Sequence, residues 1–428
     1  GCTTCIRNCP TEAIRVRKGR AHILEERCID CGNCIRSCPH GAKKALSDPL
    51  SLIRDHRFRV ALPAPSLYGQ YDGRFGSREM AAGLRALGFD EVLDVAVAAE
   101  RVTLATSRLL ADGGLRPLIS SACPAILRLI QLRFPSLIPN LVPLLPPMEV
   151  AARAARERFP GSPDEVGVFF ISPCAGKVTM ARSPLGYERS AIDGVIGIKE
   201  IYLPLMNALL WNESGASGKA SGQVEPGAAL PSAGLAWCRP EGEIDALSGR
   251  RTLAVDGIGK AIALFESLEN GMLGDIEYIE ALACPSGCLG GPLTVENPAL
   301  ARSRIRHLER SSIASGRDHA QAPQGIPIVD QEALRWNVAV EPRPALILHR
   351  DIRTGMAMME KMDAIAQSLP GLDCGSCGAP GCQALAEDIV RGVAVETDCI
   401  FKLRENVREL AQKLLALEEL KPPGLDKD

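Results

Sequence analysis

VGVFFISPCAGK, residues 166–177, is the stretch from which the fold is read. Its first half, VGVFFI at 166–171, is a short apolar run rich in β-branched and aromatic side chains, the composition of a strand. A second apolar run around Val60 to Leu62 reads the same way, and helical patterns such as 149–158 alternate with these strands. Strands separated by helices return in the same direction, so from Arg57 onward the alternation predicts an α/β domain with a largely parallel sheet. A stretch rich in Gly, Ser and Ala from Asn212 to Gly234 reads as a flexible surface insertion. The pattern resumes with a helix over about 256–270. A polar stretch at 310–326 is expected to be a loop, and a helix is expected over 351–367.

The chain has 428 residues, 46% hydrophobic and 23% charged, enough for a sizeable core and two to four domains. A formal net charge of -2 gives no electrostatic reason to expect nucleic acid or an anionic membrane as partner. Apolar stretches such as Leu137 to Leu145 are cut by Pro and Asn before reaching the roughly 18 residues of a membrane helix. Nothing at the start resembles a signal peptide. Sixteen cysteines are present, and all but Cys238 fall into spacings that suit metal clusters rather than disulfides. Cys238 reads as a buried small hydrophobe. Thiolate ligands to iron survive in a reducing compartment, which predicts a cytoplasmic protein.

The segment CIDCGNCIRSCP places Cys28, Cys31, Cys34 and Cys38 in the Cys-x2-Cys-x2-Cys-x3-Cys-Pro pattern of bacterial ferredoxins. Two-residue gaps let a tight loop set three thiolates around one cubane, while the fourth reaches a second cubane. GCTTCIRNCP supplies the matching half with Cys2, Cys5 and Cys9. By that interleaved logic Cys28, Cys31, Cys34 and Cys9 hold one [4Fe-4S] cluster, and Cys2, Cys5 and Cys38 hold part of another. The missing ligand is expected two positions before Gly1, which makes the N-terminus truncated; a three-iron cluster is the alternative, and zinc or disulfides the bland one.

Three separated motifs follow: SSACPAI with Cys123, ISPCAGK with Cys174, and ALACPSGCLGG with Cys284 and Cys288. Four thiolates from three distant loops are what one cubane needs, and the Gly and Pro beside them allow close backbone approach to cluster sulfides. Unrelated buried cysteines are the competing reading.

In this order, over about residues 57–300, these motifs resemble the three signature motifs of [FeFe] hydrogenases. The resemblance implies that the four cysteines hold a [4Fe-4S] cubane, that Cys288 also bridges to a diiron subsite with CO, cyanide and a dithiolate (an H-cluster type site), and that Lys177 contacts a cyanide ligand. Cys288 and Lys177 are thereby the catalytic candidates. The departures carry equal weight. Ala122 stands where the family's fast enzymes place a proton-relaying cysteine, and Met180 where they place a glutamate; neither side chain carries a proton. Ser172 and Ile126 replace a methionine and a tryptophan. Such substitutions resemble the sensory branch of the family, which implies hydrogen sensing or slow oxidation. Two rival readings are an active ferredoxin-linked hydrogenase with another proton route, and a non-catalytic cluster carrier holding only a cubane. Retention of Lys177 speaks against the second.

Near the C-terminus CGSCGAPGC gives Cys374, Cys377 and Cys382, and Cys399 follows after a helical stretch beginning near Gln383. This resembles a small four-cysteine iron–sulfur domain of electron-transfer and corrinoid-linked proteins, with zinc as the alternative. About four [4Fe-4S] clusters are expected in all. Leu403, Val407, Leu410, Leu414 and Leu417 then form a heptad seam, equally suited to packing on its own domain and to a dimeric coiled coil. The six histidines show no pair at ligand spacing, and GIGKAIAL near Gly257 fits no nucleotide fingerprint. The expected layout is a ferredoxin-type domain at 1–48, a hydrogenase-like α/β domain at 57–345, a four-cysteine domain at 351–400 and a coiled-coil or signalling helix at 401–421, an α+β arrangement overall. Expected partners are hydrogen, a redox protein such as ferredoxin, a second copy through the terminal helix, and a downstream signalling domain or protein.

Overall fold

Strand Val166–Ser172 is buried along its whole length at the heart of a parallel sheet. The order in that sheet is Glu91–Val92, Phe58–Pro63, Val166–Ser172, Gly194–Gly197. Its register pairs Leu62 with Phe170 and Phe169 with Gly194. Gly194 is required there, because a Cβ would come 2.9 Å from the Phe169 ring. Phe169 packs with Leu67, Tyr68, Leu84, Phe89 and Ile196. Each such large apolar side chain contributes about 2–3 kcal/mol on burial. A second parallel sheet runs Leu118–Ile119, Tyr278–Leu282, Thr252–Asp256. The expectation of parallel α/β structure is met by two sheets rather than one.

The structure, a computed structural model, describes residues 2–162, 165–213, 230–314, 331–343, 345 and 347–418. The chain groups into two units, one of Gly1–Cys28, Ser37–His40 and Pro344–Asp428, the other of Ile29–Arg36 and Gly41–Arg343. Both sheets belong to the second unit. Expected helices appear at Pro147–Arg158, Ile258–Glu269, Ile352–Ser368 and Cys382–Val390. Two loop expectations are corrected at their edges. Helix Ile198–Glu213 runs through Asn212, Ser232–Ala236 is helical, and Pro298–Ala314 extends past 310, because apolar residues such as Leu209, Leu235 and Ile305 tie these turns into the core. The remainder of both loops, 214–229 and 315–326, lies outside the described residues.

In the first unit an antiparallel hairpin, Ile14–Arg17 with Arg20–Ile23, lies against the four-cysteine segment. Val16 N donates to Gly378 O at 2.7 Å. Buried Arg15 and half-buried Arg17 both bond Asp388, at 2.8 and 2.5 Å, and Arg27 pairs with Glu387. A small core of Ile365, Leu369, Ala384, Leu385 and Cys399 completes the unit. Helix Ile400–Glu418 then leaves its seam exposed, from 46% at Leu403 to 63% at Leu417. Among the described residues, no helix is long and apolar enough to cross a membrane.

Candidate functional site

All three motifs of the second unit follow the carboxyl ends of parallel strands: Cys123 after Leu118–Ile119, Cys174 after Val166–Ser172, and Cys284 after Tyr278–Leu282. Outside those ends, side chains from separate strands converge without blocking the sheet's own hydrogen bonds. Cys123 is the N-cap of helix Pro124–Arg133 and Cys174 that of helix Ala175–Arg182. At such positions unpaired N–H groups and the helix dipole favour a thiolate. Cys288 sits on the tight turn Gly287–Gly290.

Glycine sets the closeness of these loops. A Cβ on Gly291 would fall 2.3 Å from Pro173 O, and one on Gly287 (φ +66°) 3.0 Å from Cys238 O. Leu293 N donates to Pro173 O at 3.0 Å, which locks the second motif to the third. Ser172 Oγ donates to Cys174 O and accepts from Cys174 N, so this serine shapes its own motif.

Cys123, Cys174, Cys284 and Cys288 all line one cavity, together with Lys177, Ala122, Phe170, Trp237, Cys238 and Glu243. Burial pushes the Cys123 thiol up, opposed by the N–H groups of Ala283 and Ile126. Burial likewise moves Cys174 to about 12 and Cys284 well above its ordinary value. These are thiols that want a cation or a metal before ionising. For Lys177 burial works against the charge, but the nearby sulfurs of Cys288, Cys174, Cys123 and Cys238, which favour the cation as they ionise, act the other way and its pKa is raised. Its Nζ lies 5.6 Å from the Phe170 ring centroid. The lysine is therefore a charged donor presented to an apolar cavity, suited to an anionic ligand. The donor set fits the expected group: four soft thiolates, one ammonium and glycines at the points of closest approach. Among the described residues, no three Cys, His, Asp or Glu side chains close on a single-ion site; the four thiols are spread around the wall.

Several cavity residues carried no sequence signal. Cys238 is buried as expected, donating to Leu235 O at 3.2 Å, but it stands on this wall. Glu243 accepts from Tyr278 Oη at 2.7 Å, and behind it Glu280 Oε2 accepts from Glu243 N and Ile244 N. Burial, with Glu243 adding repulsion, raises Glu280 to about 8. Arg36 donates to Cys284 Sγ at 3.3 Å, a contact that the sequence reading did not single out.

In the first unit Cys374, Cys377, Cys382 and Cys399 line a second cavity. Gly375 and Gly378, with φ of +71° and +85°, form its turns. The hydroxyl and N–H of Ser376 hold Cys374 below the usual thiol range. Of the cysteines expected as ferredoxin-type ligands, Cys2, Cys5, Cys9, Cys28 and Cys38 lie in the first unit and Cys31 and Cys34 in the second. Cys9 Sγ already accepts Ala13 N at 3.2 Å.

Three family models match the chain. Residues 58–213 match the iron only hydrogenase large subunit, C-terminal domain, a span that includes Cys123, Cys174 and Lys177 and ends before Cys284. Residues 1–42 match a 4Fe-4S dicluster domain and 369–401 a putative Fe-S cluster family. Iron hydrogenase 1 of Clostridium pasteurianum is 25% identical over 284 residues, 55% of this chain and 49% of that protein. The NADP-reducing hydrogenase subunit HndD of Solidesulfovibrio fructosivorans is 26% identical over 333 residues, 62% and 55%. The chain thus spans about half the length of these relatives. A solved structure of an [FeFe]-hydrogenase HydA1 variant from Chlamydomonas reinhardtii aligns at a TM-score of 0.49 and 17% identity, covering 69% of this chain and 98% of that one. The relationship expected from the cysteine motifs holds: this is an iron–sulfur protein related to [FeFe] hydrogenases, with a 4Fe-4S dicluster domain before that region in the chain and a putative Fe-S cluster domain after it.

Proposed function

We propose that the chain binds hydrogen, or oxidises it slowly to protons and electrons, at a cubane held by Cys123, Cys174, Cys284 and Cys288, and that it acts as a cytoplasmic hydrogen or redox sensor. The observation that supports this best is the cavity itself. It gathers the four thiols around Lys177, yet presents Ala122 where a proton-relaying thiol would stand. A diiron subsite bridged through Cys288 would supply the metal at which hydrogen is split or formed. Lys177 would hold an anionic ligand of that subsite in place, and Phe170, Trp237 and Ala122 would keep water from it. Electrons would leave through the ferredoxin-type clusters or the cluster of Cys374, Cys377, Cys382 and Cys399 to a redox protein such as ferredoxin. The exposed seam of Ile400–Glu418 would pair with a second copy and pass the charge state to a downstream signalling domain or protein.

A second reading, an active hydrogenase, is favoured by Glu243. Its carboxyl lies on the cavity wall with Tyr278 and Glu280 behind it, a proton-holding group in place of the absent relay.

Infrared spectroscopy of anaerobically purified protein, matured with the diiron cofactor, tests the central claim. Metal-bound CO and cyanide bands that shift under hydrogen are expected; no such bands, with iron and sulfide present, would leave a cluster carrier. Rapid hydrogen evolution from reduced dye would displace the sensor in favour of the enzyme.

A further inference from the structure

Outside the ligand set, one cation joins two of the cysteine motifs within the second unit. Arg36 closes the short helix Asn33–Arg36, two residues beyond Cys34. Its Nη2 donates to the backbone oxygen of Cys31 at 2.9 Å, and its Nη1 to Cys284 Sγ at 3.3 Å. Both arms of the planar fork are thus engaged, one on the ferredoxin-type loop and one on a thiol of the central cavity. The loop beneath it is held tightly. Gly32 has φ +69°, and a Cβ there would come 2.9 Å from Pro292 and 3.2 Å from Arg36 Nη1. Cys284 is 8% exposed, so little solvent competes for its sulfur. Burial raises that thiol, and Arg36 is the largest influence opposing it.

A hydrogen bond from a cation to a cluster thiolate stabilises the more negative, reduced cluster and raises its potential. We propose that Arg36 is a positioning residue that sets the reduction potential of the central cubane through Cys284 and fixes the Cys31–Cys34 loop beside it. Lysine is no substitute, because a point charge on a flexible stem cannot satisfy both acceptors in one plane. The role rests on the four cysteines holding a cubane and does not depend on hydrogen being the ligand.

The test is a potentiometric titration of the anaerobically purified, cluster-containing chain, followed by electron paramagnetic resonance. The central cubane is the signal that Cys174→Ala removes. Arg36→Met should lower its midpoint so that the reduced-to-oxidised ratio at fixed poise falls about tenfold, ~59 mV for one electron. Arg36→Lys should fall between that variant and the parent. An Arg36→Met signal that titrates with the parent overturns the role. Should that variant lose the cluster, Arg36→Lys decides: a lowered midpoint supports the role and an unchanged one overturns it. Absence of any signal removed by Cys174→Ala would overturn the cubane and this role together. An infrared spectrum without CO and cyanide bands would sink the hydrogen reading alone.

Discussion

Ala122 and Glu280 are the two positions where single side chains make the sharpest predictions. Ala122 lines the cavity beside Cys123 and cannot carry a proton. If the missing relay limits turnover, Ala122→Cys should raise hydrogen evolution from reduced dye on the order of 10²-fold in protein loaded with the diiron unit. An unchanged rate at equal loading would show that proton delivery runs elsewhere, and Glu243 would become the first candidate. Glu280 is 1% exposed and held near pKa 8 by burial and by Glu243, against an ordinary value of 4.5. Between those values the folded chain binds the proton and the unfolded chain releases it. Stability should therefore fall as pH rises from about 4.5 to about 8, with the whole penalty present above that window and none below it. Glu280→Gln should flatten that part of the profile in thermal unfolding measured across it, with Glu243 and Tyr278 the groups that still face the site. A slope identical to the parent would refute the assignment. The four cysteines were singled out by their motifs, and the fold brings them to one cavity. Glu243 and Glu280 were not, since a carboxylate with no spacing partner looks like any solvated one until the chain folds over it.

At the level of elements, helix and strand periods were legible where burial is one-sided or complete. Val166–Ser172 reads as a strand because it is entirely buried, and Ile352–Ser368 was expected at 351–367. The edges of the two polar loops were misjudged for one reason. Ser, Gly and Ala in Ser232–Ala236 look loop-like locally, yet Leu235 is 2% exposed and holds that turn in the core. Tertiary burial outweighed composition. The terminal helix makes the clearest prediction at this scale. Leu403, Val407, Leu410, Leu414 and Leu417 form an apolar stripe at heptad spacing with no cover among the described residues of its own chain. If the stripe pairs with a second copy, Leu410→Lys with Leu414→Lys should turn a dimer into a monomer in light-scattering measurements at unchanged helix content. A parent chain already monomeric at tens of micromolar would rule out this use of the seam.

Across the whole molecule, long-range ion pairs decide how the ends of the chain are used. The hairpin Ile14–Arg17 and Arg20–Ile23 is tied to residues more than 370 positions away, because Arg15 and Arg17 share the buried carboxylate of Asp388. Asp388→Ala leaves Arg15 buried without that partner and should cost about 3 kcal/mol. Faster amide exchange in the hairpin and in Cys382–Val390 together is the expected readout; exchange unchanged in both would mean the pairs hold nothing. The sequence by itself pointed to iron–sulfur domains: thiolate spacing is a local property, since a loop of two-residue gaps suits a cubane wherever it lies. It also placed Lys177 three residues past Cys174, on the same helix. Only the tertiary structure decided which strand ends bring the three distant motifs to one cavity. It also decided that Cys238 and Glu243 stand beside them and that Arg36 reaches Cys284, because those neighbours depend on sheet order and on backbone contacts such as Leu293 with Pro173, which no periodicity in the chain encodes.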